Sequence, residues 1–215
     1  KKLKYFSFAD VDAIAVRSVA ALSAELFDEL VQDVLVTGTQ IIRANGRTSV
    51  GTVTSTDYMK ATDIRKAVTK LRRNKVPAWG GNFYAGGIHP DVLHDLREET
   101  GSGSWRVPAE YGTNGPNNMI WSGEFGEFEG VRFVQNTRTR TGTDGASSAK
   151  VYRSFIQGRE AIAEKVVEEP NIVLGPVVDK LSRFRTIGFY GVLGWALYRD
   201  ESLIVHQASS SVAAL

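Results

Sequence analysis

The sequence predicts an α+β chain, on three observations: a long amphipathic helix near the start, three shorter helices after it, and strand candidates gathered in the middle and last third with no repeat of fixed period. The opening Ser7-Phe8-Ala9-Asp10 is a helix-start signal, with Ser7 capping the backbone and Asp10 reaching back. Beyond it Ile14, Leu22, Leu26, Leu30 and Val34 fall in one four-residue row, and Ala15, Val19, Phe27, Val31 and Leu35 in the row beside it. Together they make one broad apolar stripe, with Arg17, Glu25, Asp28, Glu29 and Gln32 largely on the other side. From Asp10 to the Thr37-Gly38-Thr39 breaker, or on to Ile42, the helix spans about 40 to 50 Å at roughly 1.5 Å per residue. A compact globule of this length is only about 44 Å across, so the spacing predicts a flat or elongated subunit.

A second helix is predicted from a cap at Thr62 to Asn74, with Ile64, Val68 and Leu71 at helical spacing. Lys70, Arg72, Arg73 and Lys75 gather at its C-terminal end, where cations suit the helix dipole; a solvated basic end is the expected reading over a phosphate site. Asn82 to Ala85 reads as a short buried strand, and His89-Pro90-Asp91 opens a short helix through Leu93 and Leu96, with Pro well placed in a first turn. Residues 99–118, rich in Gly and polar residues, read as a long exposed loop. Met119-Ile120-Trp121 and Val131 to Val134 read as strands, and 123–130 alternates as a strand interrupted by turns would. After a Thr-, Arg- and Gly-rich loop over Thr137 to Ser148, the order expected is Phe155-Ile156 as strand, Glu160 to Val167 as helix, and strands in Phe184 to Tyr198 and Leu203 to His206.

A chain of 215 residues with 42% hydrophobic content can bury a sizeable core and is expected to fold. Its 26 Lys and Arg nearly balance 24 Asp and Glu, net +2, so tight salt-sensitive binding to nucleic acid is not expected. Without cysteine, disulfides and thiolate chemistry are excluded, which fits a reducing cytosol. No stretch approaches 18 consecutive apolar residues and no signal segment opens the chain, so a soluble, non-exported protein is expected. The first residue is Lys1 rather than Met, as in a processed or partial chain.

Chemistry is sparse. Of His89, His94 and His206, the first two with Asp95 make a weak metal-ligand set, because a spacing of five does not put both imidazoles on one helical face. His89 near a cap and His94 at the surface are the expected roles. Gly-x-Ser-x-Gly and Walker-type phosphate loops are absent, and Gly101-Ser102-Gly103-Ser104 is a flexible loop signature. Glu124, Glu127 and Glu129 are expected as solvated strand carboxylates, with Glu127 and Glu129 on one face. Arg138 and Arg140 could meet nucleic acid or an acidic neighbour, with a plain exposed loop as the default. No catalytic, cofactor-binding or metal site is therefore expected, and the chain does not read as an enzyme.

Three motifs carry a resemblance. Tyr84 to Asp91 continuing through Asp95-Leu96-Arg97, then Trp121-Ser122-Gly123-Glu124-Phe125-Gly126, then Gly130 to Asn136, resemble in order the major capsid proteins of the phage N-four type, whose fold is that first described for phage Hong Kong 97. The ending Trp195 to Ile204 is similar to the closing strand pattern of that fold. The resemblance implies a long spine helix over about 10–42 within a peripheral P domain of residues 1–77, an axial A domain over 78–167, P-domain strands over 168–195, and an A-domain closing strand over 196–215. It also implies a virion subunit made in the host cytoplasm that self-assembles as pentamers and hexamers into an icosahedral shell around double-stranded DNA. Scaffolding or decoration proteins and a portal would be further partners, DNA contact would be weak and non-specific, and neither membrane nor cofactor is implied. The family's N-terminal arm and extended E-loop have no counterpart before the helix. The alternatives are an encapsulin-like nanocompartment shell and, from another class, an α+β hydrolase or binding protein using the 99–118 loop as a lid.

Overall fold

The computed structural model describes residues 11–80, 82–99, 127–177 and 185–214. The Ser7 to Asp10 helix start, nearly all of the 99–118 loop, the Met119 to Trp121 strand and Glu124 lie outside them. Contacts divide the chain into two units, residues 1–31 with 164–196, and residues 32–163 with 197–215.

The larger unit is built on a seven-stranded mixed sheet. Its strands are β1 (Ile41–Arg43), β2 (Tyr84–Ile88), β3 (Glu127–Phe128), β4 (Val131–Gln135), β5 (Thr141–Gly142), β6 (Val151–Gln157) and β9 (Leu203–Ala208). The spatial order is β1-β9-β6-β2-β4-β3, with β5 on β6; β1 runs parallel to β9 and β2 parallel to β4, and the other pairs are antiparallel. Strand β9 is buried along its whole length, as a central strand covered on both faces must be. In β2 a side chain at Gly86 would stand 2.8 Å from the Phe133 ring, and one at Gly87 would collide with Phe155, so these rings pass directly over bare backbone. The β3–β4 hairpin turns on Glu129 (φ 52) and Gly130 (φ 78), the two positive-φ centres that a tight hairpin turn requires.

Two helices pack on this sheet, α2 (Ala61–Arg73) and α3 (Pro90–Glu98). Helix α2 buries Ala61, Ile64, Ala67, Val68 and Leu71, one face at helical spacing, in a core shared with Ile88, Leu96, Phe133 and Ile204. The expected cap at Thr62 is corrected: Lys60 precedes the helix without a side-chain cap, and the Ala61 N–H donates to Glu99 Oε2 at 2.8 Å. At the other end Val76 N–H donates to Leu71 O and Lys75 N–H to Arg72 O, a Schellman motif in which Lys75, at φ 53, stands where glycine is usual. Helix α3 begins as expected, with Pro90 first and the His89 imidazole accepting the Asp91 N–H at 3.2 Å.

The smaller unit holds most of α1 (Val11–Val36), β7 (Ile162–Val177) and β8 (Arg185–Leu197). Of the two ends expected for the opening helix, the Thr37-Gly38-Thr39 breaker holds: the helix stops at Val36, and Ile41 to Arg43 form strand β1, so it does not run on to Ile42. A side chain at Gly38 would stand 2.9 Å from Leu203, so the chain turns there against the core. The expected helix over Glu160 to Val167 is strand: Ala161 is buried at its start, and the β-branched Val166-Val167 favours an extended backbone over a helical turn. Strands β7 and β8 form a two-stranded sheet of their own. Gly175 lies against Thr186 and Gly191 against Pro170, so one number falls as the other rises and the ribbon is antiparallel.

Candidate interaction surface

On a helix, residues four apart form ridges, and α1 presents four of them. The ridge Ala15, Val19, Phe27 and Val31 is half-buried. Phe27 meets Phe189 edge-to-face, with centroids 6.1 Å apart, and Trp195 at 6.0 Å, both on β8. Along β8 the same parity (Ile187, Leu193 and Trp195) is half-buried, and the other (Thr186, Gly188, Tyr190, Val192, Gly194 and Ala196) is exposed. The stripe read as one face therefore splits. Its second ridge remains in solvent, with Ile14 52%, Leu22 61%, Leu26 42% and Leu30 42% exposed. Three consecutive leucines of one ridge at that exposure, with Ile14 further along it, make a candidate interaction surface rather than ordinary scatter.

The next ridge around reads Arg17, Ala21, Glu25, Glu29 and Asp33, so the exposed apolar row has an acidic flank. Asp33 receives Arg140 Nε and a terminal guanidinium nitrogen, each at 2.6 Å, and that hydrogen-bonded cation holds its carboxyl below the usual range. Arg140 is thus a fork on an acid of its own chain, in a segment that includes β5 and is more than a plain exposed loop. Arg138 donates its backbone N–H to Asn136 Oδ1.

Strand β7 is exposed on both faces from Ala163 to Leu174. Pro170, Pro176 and the charges Glu164, Lys165, Glu168 and Glu169 keep it from pairing freely with a foreign strand, whereas β8 carries no charge from Thr186 to Leu197. The sequence signal for β8 was that uncharged run; which parity faces out could not be read from it.

The histidines are placed as follows. His94, Asp95 and Glu98 gather on α3, with His94 3.6 Å from each carboxylate, but Asp95 is already bonded by the Ser211 N–H and hydroxyl. His89 belongs to a different group: Tyr152 donates to Asp91 Oδ2 at 2.5 Å, His89 Nδ1 lies 3.3 Å from the same oxygen, and the His89 and Tyr152 rings stand 4.8 Å apart. Burial and the Asp91 carboxylate push the Tyr152 phenol well up, while burial outweighs Asp91 and lowers His89. This group pins the α3 start to β6. His206 is buried with its Nε2 3.5 Å from Asp63 Oδ2; burial raises the Asp63 carboxyl, but His206 and Lys66 together bring it below the usual range. Glu129 is a turn residue paired with Arg65 at 2.9 Å, not a strand neighbour of Glu127. A cavity of about 260 Å³ lined by Tyr58, Met59, Lys60, Asp95, Glu98, Glu99 and Ser211 is edged by carboxylates already engaged, Asp95 by Ser211 and Glu99 by Ala61.

The candidate interaction surface therefore lies on α1 and β8, and comparison with known proteins gives it a context. The profile of a family described as phage capsid protein matches residues 7–187. Among solved structures the fold is similar to the capsid of Ralstonia phage GP4 (17% identity, TM-score 0.76, covering 98% of this chain and 70% of that one). It is also similar to the Cyanophage Pam1 capsid (14%, 0.68, 98% and 72%) and to the head of Helicobacter pylori bacteriophage KHP40 (13%, 0.68, 97% and 72%). A comparison with curated proteins finds no match. The nanocompartment and hydrolase alternatives draw no support from these matches. A shell subunit needs faces that folding leaves uncovered, and the profile spans most of the chain: it belongs to the phage capsid protein family and is a major capsid protein with the Hong Kong 97-like fold.

Proposed function

We propose that copies of this subunit associate as pentamers and hexamers and close into an icosahedral shell around packaged double-stranded DNA. The observation that carries this reading is the exposed apolar ridge of α1 in a chain of the phage capsid family. The work is mechanical: many modest contacts sum to a wall, and no side chain need act as a catalyst. Scaffolding or decoration proteins and a portal are further partners, DNA is touched weakly because the net charge is +2, and assembly takes place in the host cytoplasm. In this reading the spine helix and strands 168–195 belong to a P domain that includes residues 1–77, and residues 78–167 and 196–215 belong to an A domain. The grouping of residues 1–31 with 164–196 supports the pairing of helix and strands, while residues 32–77 make their contacts with the larger unit.

The test is to sediment the purified full-length protein and image the fast fraction by negative-stain electron microscopy. Closed shells or ring-shaped capsomers are expected, with nuclease-resistant DNA in particles from infected cells. A slow monomer at every concentration and salt overturns the reading.

A further inference from the structure

Strand β1 ends in a tight turn over Ala44-Asn45-Gly46-Arg47. Asn45 (φ 54, ψ 18) and Gly46 (φ 68) give it the two left-handed centres of a type I′ turn, closed by the Arg47 N–H donating to Ala44 O at 3.3 Å. Such a turn selects asparagine and glycine, the first because it tolerates a positive φ and the second because it has no Cβ. The same dipeptide is the one most prone to lose ammonia. Glycine leaves its amide nitrogen unhindered, and that nitrogen can attack the side-chain carbonyl carbon of the asparagine before it. The Asn45 amide, however, is held at both ends: Nδ2 donates to Asp57 Oδ1 at 2.5 Å, and Oδ1 accepts from Lys60 Nζ at 3.2 Å. Asp57 is itself buried and fixed by Arg47 Nε and by the Thr54 N–H and hydroxyl, and its carbonyl accepts the Ser209 N–H at 2.9 Å.

We propose that Asn45-Gly46 is a latent deamidation site, and that the bridge from Asp57 through Asn45 to Lys60 keeps it shut in the folded subunit. In the reaction Gly46 N bonds to Asn45 Cγ, and the Gly46 amide proton leaves with the side-chain nitrogen as ammonia. Water then opens the succinimide at either carbonyl and leaves aspartate or isoaspartate at position 45. Closing that ring forces the Asn45 ψ well away from 18° and swings the amide off both Asp57 and Lys60, so the bridge must open first. Either product undoes the turn. Aspartate puts a carboxylate oxygen where Nδ2 had donated to the buried Asp57, and the two like charges repel. Isoaspartate lengthens the main chain and breaks the I′ geometry. The proposal concerns a single subunit and stands or falls independently of how copies assemble.

The experiment holds the full-length protein in mildly alkaline buffer, folded and in guanidinium chloride, and follows aspartate and isoaspartate at position 45 by peptide mapping and mass spectrometry. Folded wild type is expected to convert at least about tenfold more slowly than the denatured chain. Lys60→Ala, at an exposed side chain, and Asp57→Ala should each speed conversion in the folded state by about fivefold, because each removes a hydrogen bond that holds the amide. Circular dichroism checks that each variant is folded, and Lys60→Ala decides alone if Asp57→Ala is not. The second such pair of the sequence, Asn114-Gly115, lies outside the described residues and serves in the denatured chain as the internal rate standard. Conversion at 45 as fast in folded as in denatured wild type overturns the guard, and so do folded variants that convert no faster than wild type. A denatured chain that converts at Asn114 but not at Asn45 overturns the site itself.

Discussion

Strands β9 and β7 stand at opposite extremes of one chain. Leu203 to Ala208 are all buried, paired on both sides by β1 and β6 within a seven-stranded sheet. Ala163 to Leu174 are all exposed, in a strand that pairs with β8 alone among the described strands. Both segments contain Ile, Val and Leu, so apolar content does not separate them. Partners do: the larger unit buries most of its apolar side chains in its own core, while a two-stranded ribbon is marginal in water by itself and gains from further packing. In a shell subunit that difference is a division of labour, with one region fixing the fold and the other holding surface in reserve for neighbouring copies.

The comparison breaks most visibly in the core. Phe133→Ala is expected to cost about 3–5 kcal/mol, because the ring is fully buried against Gly86, a residue with no side chain to fill the void. Denaturant unfolding measures it, and a cost under about 1 kcal/mol would mean that the larger unit is not the stabilising one.

A smaller loss, about 2 kcal/mol at neutral pH, is expected for Asp57→Asn. The Asp57 carboxylate is buried and accepts from Arg47 Nε at 2.8 Å, the Thr54 N–H at 2.7 Å, the Thr54 hydroxyl at 2.9 Å and Asn45 at 2.5 Å. Burial pushes its carboxyl up, but these donors outweigh burial and hold it far below the usual range. A depressed carboxyl stabilises the fold fully above its unfolded value, about 4, and loses that contribution as pH falls toward the folded value. The gap between wild type and variant should thus be full at pH 7 and narrow below about pH 4. Equal gaps at both pH values would remove Asp57 as the cause.

Smaller still, and opposite in sign, is Lys75→Gly. Relieving a left-handed lysine at φ 53 should stabilise the folded subunit by about 0.5–1 kcal/mol. Denaturant unfolding measures it, and no gain would mean that the turn after α2 carries no backbone strain.

How much of this was legible in the sequence varies by region for physical reasons. The long helix and the His89-Pro90 start were legible, because ridge spacing and cap chemistry are local. β7 was not, since charge pairs alternate with Val166-Val167 in a segment exposed on both faces, and neither a period of 2 nor one of 3.6 survives there. The Thr37-Gly38-Thr39 breaker was legible as one possible end of the helix, but not that the chain turns at Gly38 against Leu203 and continues as strand β1. For the interaction surface, both apolar ridges of α1 could be counted, but which one β8 covers depends on Phe27 meeting Phe189 and Trp195 across more than 150 residues of chain. The basic cluster at 70–75 was visible; that Lys75 holds a positive φ was not.

The least costly change for the folded subunit tests the comparison most directly. Leu22→Gln with Leu26→Gln removes two apolar side chains that are 61% and 42% exposed. Surface substitutions of this kind usually shift stability by no more than about 0.5 kcal/mol each, and glutamine is as good a helix former as leucine. The denaturation midpoint should therefore hardly move. Assembly should respond far more strongly, because each buried leucine contributes about 1.5–3 kcal/mol to whatever covers it, and a ring repeats the contact at every subunit. Capsomer yield against concentration measures the second effect. A subunit destabilised as much as by Phe133→Ala would show that the exposed ridge supports the fold of its own chain, and a variant that assembles normally would move the interface from α1 toward the outer face of β8.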